Sequence, residues 1–387
     1  MKPKFLPFSP PFIGGEEKRE VLDTLGSDWI TTGPKTKAFE AKLLNYFGAP
    51  ALVGLNSCTA GLHVGLLALG IGPGDEVIVP SMTFCATANV VEHVGATPIL
   101  VDVTTDTLNL DPEAVARAIT PRTRAIIPVH YAGHPVELDA IFSLAERHGL
   151  QVLEDAAHAI SARYKGRLVG SRDNLAAFSF YATKNITTIE GGCLTGDPDL
   201  VERARIFGHH GMNRDAWKRF DRTGSWFYEV VVPGFKYNMT DVQAAIGLHQ
   251  LDRLPSFQKR RREVVATYAA RLGTLPGLQL PVERPEVESS WHLYVIRLLL
   301  DQVRVDRNLF IEELKARQIG ASVHYLPVHM QPYYREKYGY RPESCPVAAD
   351  AFSRMLSLPL HPGLTDEDVD RICEAVAEIV HLDPVRA

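Results

Sequence analysis

The chain has 387 residues, which at roughly 150 residues per domain allows about two to three domains and a sizeable core. Hydrophobic residues at 45% and charged residues at 22% lie near the globular average and exclude disordered and fibrous classes. Lys and Arg number 41 against 46 for Asp and Glu, a formal charge of -5, so no overall basic field exists to hold nucleic acid or anionic lipid.

In chain order, MKPKFLPFSPPFIGGEE carries four prolines that interrupt any apolar run of signal-peptide length, and no later run approaches a membrane span; the cytoplasm is the expected compartment. Residues 59–69, TAGLHVGLLAL, predict a buried helix capped near Asn56 and Ser57 and stopped by GIGPGD. EVIVP then predicts a strand. Further β-branched runs occur at ATPILVDV, RAIIPVHY, QVLEDA, AAFSF and GCLTG, and helical patterns such as DPEAVARAI and PVELDAIFSLAERHG separate several of them. This βα alternation predicts an α/β fold with a mostly parallel sheet covered on both faces, and ligands at the carboxyl ends of its strands. Past residue 240 the pattern becomes one long helix, broken or kinked at Pro255, followed by an extended HLYVIRLLL. The boundary is placed near residue 250, giving a large domain over 1–250 and a smaller C-terminal α/β domain over 251–387. Five scattered cysteines, Cys58, Cys85, Cys193, Cys345 and Cys373, form no CxxC pair and are expected as free thiols.

Three groups together point to chemistry. Asp155 stands where the QVLE strand runs out, facing a ligand, although an Asp before AAHA also caps a helix. Lys184 follows the AAFSF strand in a loop; buried in a largely apolar site, its amine loses charge readily and can attack a carbonyl to form a Schiff base, whereas alone it would pass for a surface lysine. The helix starting at Thr59 and Ala60 aims unpaired amides at an anion, with Ser179 adding a hydroxyl. A Schiff-base lysine, a carboxylate for a pyridinium nitrogen and a phosphate cradle are the requirements of pyridoxal phosphate (PLP). Phe84, beyond EVIVP, offers an aromatic face for the cofactor ring or for the core, and His158 a hydrogen bond to the cofactor's phenolic oxygen or a structural one. His130 and His134 have helical metal-ligand spacing, but Gly133 and Pro135 oppose a helix there, and no metal is expected.

With these residues in this order, the chain resembles the DegT/StrS-type PLP-dependent sugar aminotransferases. The resemblance runs through SDWITTGPKT, GDEVIVPSMTF, ATPILVDV, AIIPVHYAG, EDAAHA, YKGRLVG, FSFYATKNITTIEGG, GFKYNMTDVQAA and WHLYVIRL. WITTGPK, IIPVHYAG, KNIT and KYNMTD look most like the branch that makes UDP-4-amino-4-deoxy-L-arabinose for lipid A modification in lipopolysaccharide biosynthesis.

The resemblance implies a type I aminotransferase fold, a homodimer with shared active sites, glutamate as donor and a nucleotide-linked 4-keto sugar as acceptor. It implies that Lys184 forms the Schiff base, Asp155 pairs with the ring nitrogen, Phe84 stacks on the ring, and Asn238 in KYNMTD reaches the cofactor phosphate of the neighbouring subunit. His158 takes a position often held by Gln. For the sugar nucleotide, HYLPVHMQPYY offers His324, Tyr325, His329 and Tyr333, and the WITTGPK turn offers Thr31. Two other classes compete with an aminotransferase: a sugar dehydratase, whose members carry His at the Schiff-base position, and a non-catalytic sensor or scaffold, which would have lost part of the set.

Overall fold

Strands buried along their whole length must lie between covering layers, and in the larger sheet three segments meet that condition outright. In the computed structural model, which describes residues 4–213 and 227–382, Glu76–Pro80, Leu175–Ser179 and Gly192–Gly196 are buried at every position. They belong to a seven-stranded sheet in the order 51–55, 192–196, 175–179, 151–155, 123–126, 76–80, 97–101. Every neighbouring pair is parallel except the two made by Gly192–Gly196, which alone runs backwards. The sheet is therefore mostly parallel, as the βα alternation predicts.

Side chains alternate across it. Val77 and Val79 pack with Leu62 and Val64 of the helix Cys58–Ala68, whereas Ile78 packs on the other face with Ile141 and Leu144 of Leu138–His148. Beside the latter, Leu52, Ala176 and Phe178 pack against Phe39 and Leu43 of Pro34–Phe47. Each such side chain taken from water contributes on the order of 1.5–3 kcal/mol before entropy is charged against it.

A second core gathers Val264, Tyr268, Tyr294, Ile296, Phe310, Leu356, Leu358, Ile372 and Val376 around three antiparallel strands, Leu278–Gln279, Tyr294–Leu298 and Met355–Leu358. The helix Asp241–Leu272 joins the cores. Of the break or kink expected at Pro255, the break does not occur, for the helix continues through that residue. Proline removes one backbone donor, but Leu251, Leu254 and Phe257 are buried in one core and Val264, Tyr268 and Leu272 in the other, and this burial outweighs one lost hydrogen bond. Residue 250 thus lies inside a helix.

The amino-terminal stretch straps the two cores together. Leu6 exchanges backbone hydrogen bonds with Gln318 and Gly320, Ser9 Oγ reaches the carbonyl of Thr183, and Gln250 Nε2 donates to the carbonyl of Phe12. Among the described residues no helix is long and apolar enough to cross a membrane.

Candidate active site

The parallel strands end at one edge of the sheet, and there the chain encloses a cavity of about 610 Å³. Ser57, Cys58 and Thr59 line it from the first strand, Phe84 from the second, Asp155 from the fifth, and Ser179 with Lys184 from the sixth. His292, His324, Tyr325 and Phe8 close it from the second core and the strap.

Asp155 ends its strand as a buried carboxylate. Oδ2 accepts from Thr87 Oγ1 at 2.8 Å and Oδ1 from the amide of Ala157 at 3.1 Å. A turn, not a helix, follows it, so the capping alternative falls away. No cation pairs with it among the described residues, and burial pushes its carboxyl above the usual range against the pull of those two donors. A cationic ring nitrogen would supply the missing partner.

Lys184 sits in the loop that turns back into Gly192–Gly196. Burial brings its amine down from the usual 10.5 to about 8, so a useful share is neutral near physiological pH. The surrounding imidazoles are neutral too: burial, then the charge of Lys184, depresses His158, His292 and His324, the last to about 4. An amine and an unpaired carboxylate on one cavity fit PLP.

The phosphate end is built by the helix Cys58–Ala68. Ser57 caps it, accepting the amide of Ala60 at 3.0 Å. The N–H of Ala60 is engaged by this cap and Ala60 does not line the cavity, whereas Thr59 does. The earlier amides, those of Cys58 and Thr59, have no acceptor within the helix and remain for an anion. Gly192 makes this placement possible, since a Cβ there would lie 2.5 Å from the amide nitrogen of Cys58 and 2.6 Å from the carbonyl of Phe178.

Other expected residues divide. Phe84 lines the cavity with 55% of its surface exposed, its ring 5.6 Å from that of Tyr325. His158 does not line the cavity; it is buried, with Nε2 3.0 Å from Tyr325 Oη. His324 and Tyr325 are wall residues. His329 is not: it is 0% exposed, with Nδ1 bonded to Ser81 Oγ. Tyr333 lies outside as well, exposed on a separate groove with Glu92 and Gln331. The physical reason is the chain path, for after Pro327 a turn at Val328–Met330 and the helix Pro332–Tyr338 carry both away.

Thr31 and Asn238 lie off this chain's cavity but beside each other. Asn238 Nδ2 donates to Thr32 Oγ1 at 2.5 Å, and the carbonyl of Thr31 accepts from the amide of Asp241 at 2.9 Å. The buried Asp241 carboxylate collects the amides of Gly33, Lys35 and Thr36 and locks the turn to the long helix. Sequence reasoning named Ser57 only as a helix cap and missed Thr87, His292 and Phe8, which depend on contacts between distant segments.

A model of the DegT/DnrJ/EryC1/StrS aminotransferase family matches residues 11–377. The chain belongs to that family. It is 48% identical to the spore coat polysaccharide biosynthesis protein SpsC of Bacillus subtilis over 378 residues, covering 97% of each. Among solved structures it is similar to Spr1654 of Streptococcus pneumoniae, known in PLP, PMP and apo forms, with 39% identity, 97% and 98% coverage and a TM-score of 0.90. It is also similar to PseC of Helicobacter pylori, an aminotransferase involved in pseudoaminic acid biosynthesis, with 31% identity, 98% and 99% coverage and a TM-score of 0.89. The protein is accordingly a PLP-dependent aminotransferase of the type I fold, and the dehydratase and sensor readings give way. The comparisons reach the sugar aminotransferase class and do not single out the lipid A branch.

Proposed function

We propose that the protein transfers an amino group from L-glutamate to the keto carbon of a nucleotide-linked sugar, releasing 2-oxoglutarate. The observation that carries this reading is the cavity itself, with a readily neutralised Lys184 and an unpaired, buried Asp155 on one wall system. Bound there, PLP supplies the electron sink that makes the donor's α-hydrogen acidic. Asp155 keeps the ring nitrogen protonated. With the cofactor held, the Lys184 amine would be the base that takes the donor's α-proton in one half-reaction and returns a proton to the sugar carbon in the other. Thr59, Cys58 and Ser179 hold the phosphate, Phe84 offers a face to the ring, and His324 and Phe8 exclude water.

The chain acts in this reading as a homodimer. Support comes from Asn238 and Thr31, which stand together outside their own cavity, and from exposed Trp29, Ile30, Tyr181 and Ile189, apolar surface suited to a second subunit. A 4-keto pentose linked to UDP is the narrower substrate reading, resting on the motifs WITTGPK and KYNMTD; the spore coat polysaccharide and pseudoaminic acid roles of relatives favour testing other 4-keto sugars beside it. An amination assay with glutamate across UDP- and dTDP-linked 4-keto sugars, read by mass spectrometry, tests both. Amine transfer to none of them would reject the proposal, and strict preference for the pentose would fix the branch.

A further inference from the structure

In the proposed reaction a single proton lies between Asp155 and the ring nitrogen, and it moves between them with no other bond changed. On nitrogen it makes the ring a cation that draws electrons strongly; on the carboxylate it leaves a neutral ring, a weaker sink. What else binds the carboxylate sets the balance, since a donor to an ionised oxygen favours the charged form. Oδ1 accepts the amide of Ala157 at 3.1 Å, with Cys58 Sγ 3.9 Å away, and Oδ2 accepts from Thr87 Oγ1 at 2.8 Å. Thr87 is 0% exposed, and no other step of the reaction uses it.

A threonine hydroxyl has one proton to give and lone pairs with which to accept. Three oxygens surround that of Thr87: Asp155 Oδ2 at 2.8 Å, Thr83 Oγ1 at 2.8 Å and the carbonyl of Phe84 at 3.2 Å. An ionised carboxylate is the strongest acceptor of the three and stands nearer than the carbonyl, so the Thr87 proton goes to Asp155. Thr83 must then be the donor to Thr87. Its side chain is also buried, so two hydroxyls in series point at the carboxylate from a site that water does not share. The backbone fixes both. Thr83 and Thr87 are four residues apart where the helix Ala86–His93 begins, and the amides of Thr87 and Asn89 are bonded to the carbonyls of Phe84 and Cys85. In the sheet the strand Thr123–Ile126 lies between Glu76–Pro80, which leads into this turn, and Gln151–Asp155. One turn thus reaches past an intervening strand and carries both Phe84, on the cavity wall, and the hydroxyl donor to Asp155.

We infer that Thr87, with Thr83 behind it, is the positioning pair that holds the shared proton on the ring nitrogen of bound PLP and off Asp155. This rests on the cavity being the cofactor site, with Asp155 at the ring nitrogen.

The test is nitrogen NMR of the protein loaded with PLP that is isotope-labelled at the ring nitrogen, without substrates. The proteins are wild type, Thr87→Val, Thr87→Ala, Thr87→Ser, Thr83→Val and the double variant Thr83→Val/Thr87→Val. Circular dichroism and retained PLP check folding, and Thr87→Ala stands in if the valine variant does not fold. Wild type should resonate at the pyridinium position. Losing a hydrogen bond to a charged group changes proton affinity by about tenfold or more, so Thr87→Val and Thr87→Ala should move the resonance toward the free-base position. Thr87→Ser keeps the hydroxyl and should stay with wild type. Thr83→Val should move less, in the same direction, and the double variant no further than Thr87→Val, because Thr83 acts through Thr87. Folded, loaded Thr87→Val and Thr87→Ala that keep the wild-type resonance would overturn the inference. So would a Thr87→Ser resonance displaced as far as that of Thr87→Val, since the hydroxyl would then not be the cause. A larger displacement in Thr83→Val than in Thr87→Val would overturn the order of the pair. Wild type at the free-base position, or taking up no PLP, would instead remove the reading of Asp155 and the cavity on which the pair depends.

Discussion

Lys184 should capture PLP much faster than an ordinary lysine, with a pH dependence that reports its burial. With the amine brought down to about 8, roughly 9% is neutral at pH 7; at the usual 10.5 the neutral share would be about 0.03%, so the reactive form is enriched about 300-fold. The sign follows directly. Below about pH 8 each unit of pH multiplies the neutral amine tenfold, and above it the amine is already free, so the rate levels. Stopped-flow absorbance after mixing cofactor-stripped protein with PLP, from about pH 7 to pH 10, measures this; the cofactor phosphate is largely ionised throughout and adds little slope. Lys184→Ala should show no comparable visible band. A rate that climbs tenfold per unit through pH 10 would place the lysine in a solvated, ordinary environment and refute the reasoning.

Asp155→Ala should retain its fold and still bind cofactor while turnover falls by orders of magnitude, because the ring nitrogen loses its counter-charge; near-normal kcat would remove Asp155 from that role. Gly192→Ala should lower stability by about 1–3 kcal/mol, since the added methyl meets backbone atoms of Ser57, Cys58 and Phe178. It should also weaken PLP binding by shifting the helix that faces the phosphate, and a melt and cofactor affinity matching wild type would contradict the geometry. Asn238→Ala should loosen cofactor retention in the dimer, measured by dialysis and sedimentation. A fully active wild-type monomer would exclude a shared site.

The parallel sheet, its covering helices and the positions of Asp155 and Lys184 were legible because local pattern controls them: apolar runs of strand length, separated by helical periods, leave their chemistry at the carboxyl edge. The phosphate helix was legible as an element, but where the Ser57 side chain points, toward the N–H of Ala60, was not. At Pro255 the sequence left a break and a kink open, because propensity is local, whereas burial of Leu254 and Phe257 on one side and Tyr268 on the other, which keeps the helix continuous, is set by tertiary packing. His329 and Tyr333 misled for a related reason: a polar, proline-punctuated loop can hold a ligand or turn away from it, and residue types alone do not give the path of the chain. Thr87 escaped notice because its partner, Asp155, is remote in sequence.

The amino-terminal strap bears on how the molecule is made. Leu6 finds its backbone partners at Gln318 and Gly320, and Phe8, whose ring lies 5.3 Å from that of His324, forms part of the same wall. During synthesis Leu6 and Phe8 emerge about three hundred residues before Gln318, Gly320 and His324 and must wait, without these native contacts, until that distant segment has been made. The large sheet can assemble before that moment, but the chamber in which the chemistry occurs acquires this wall only afterwards.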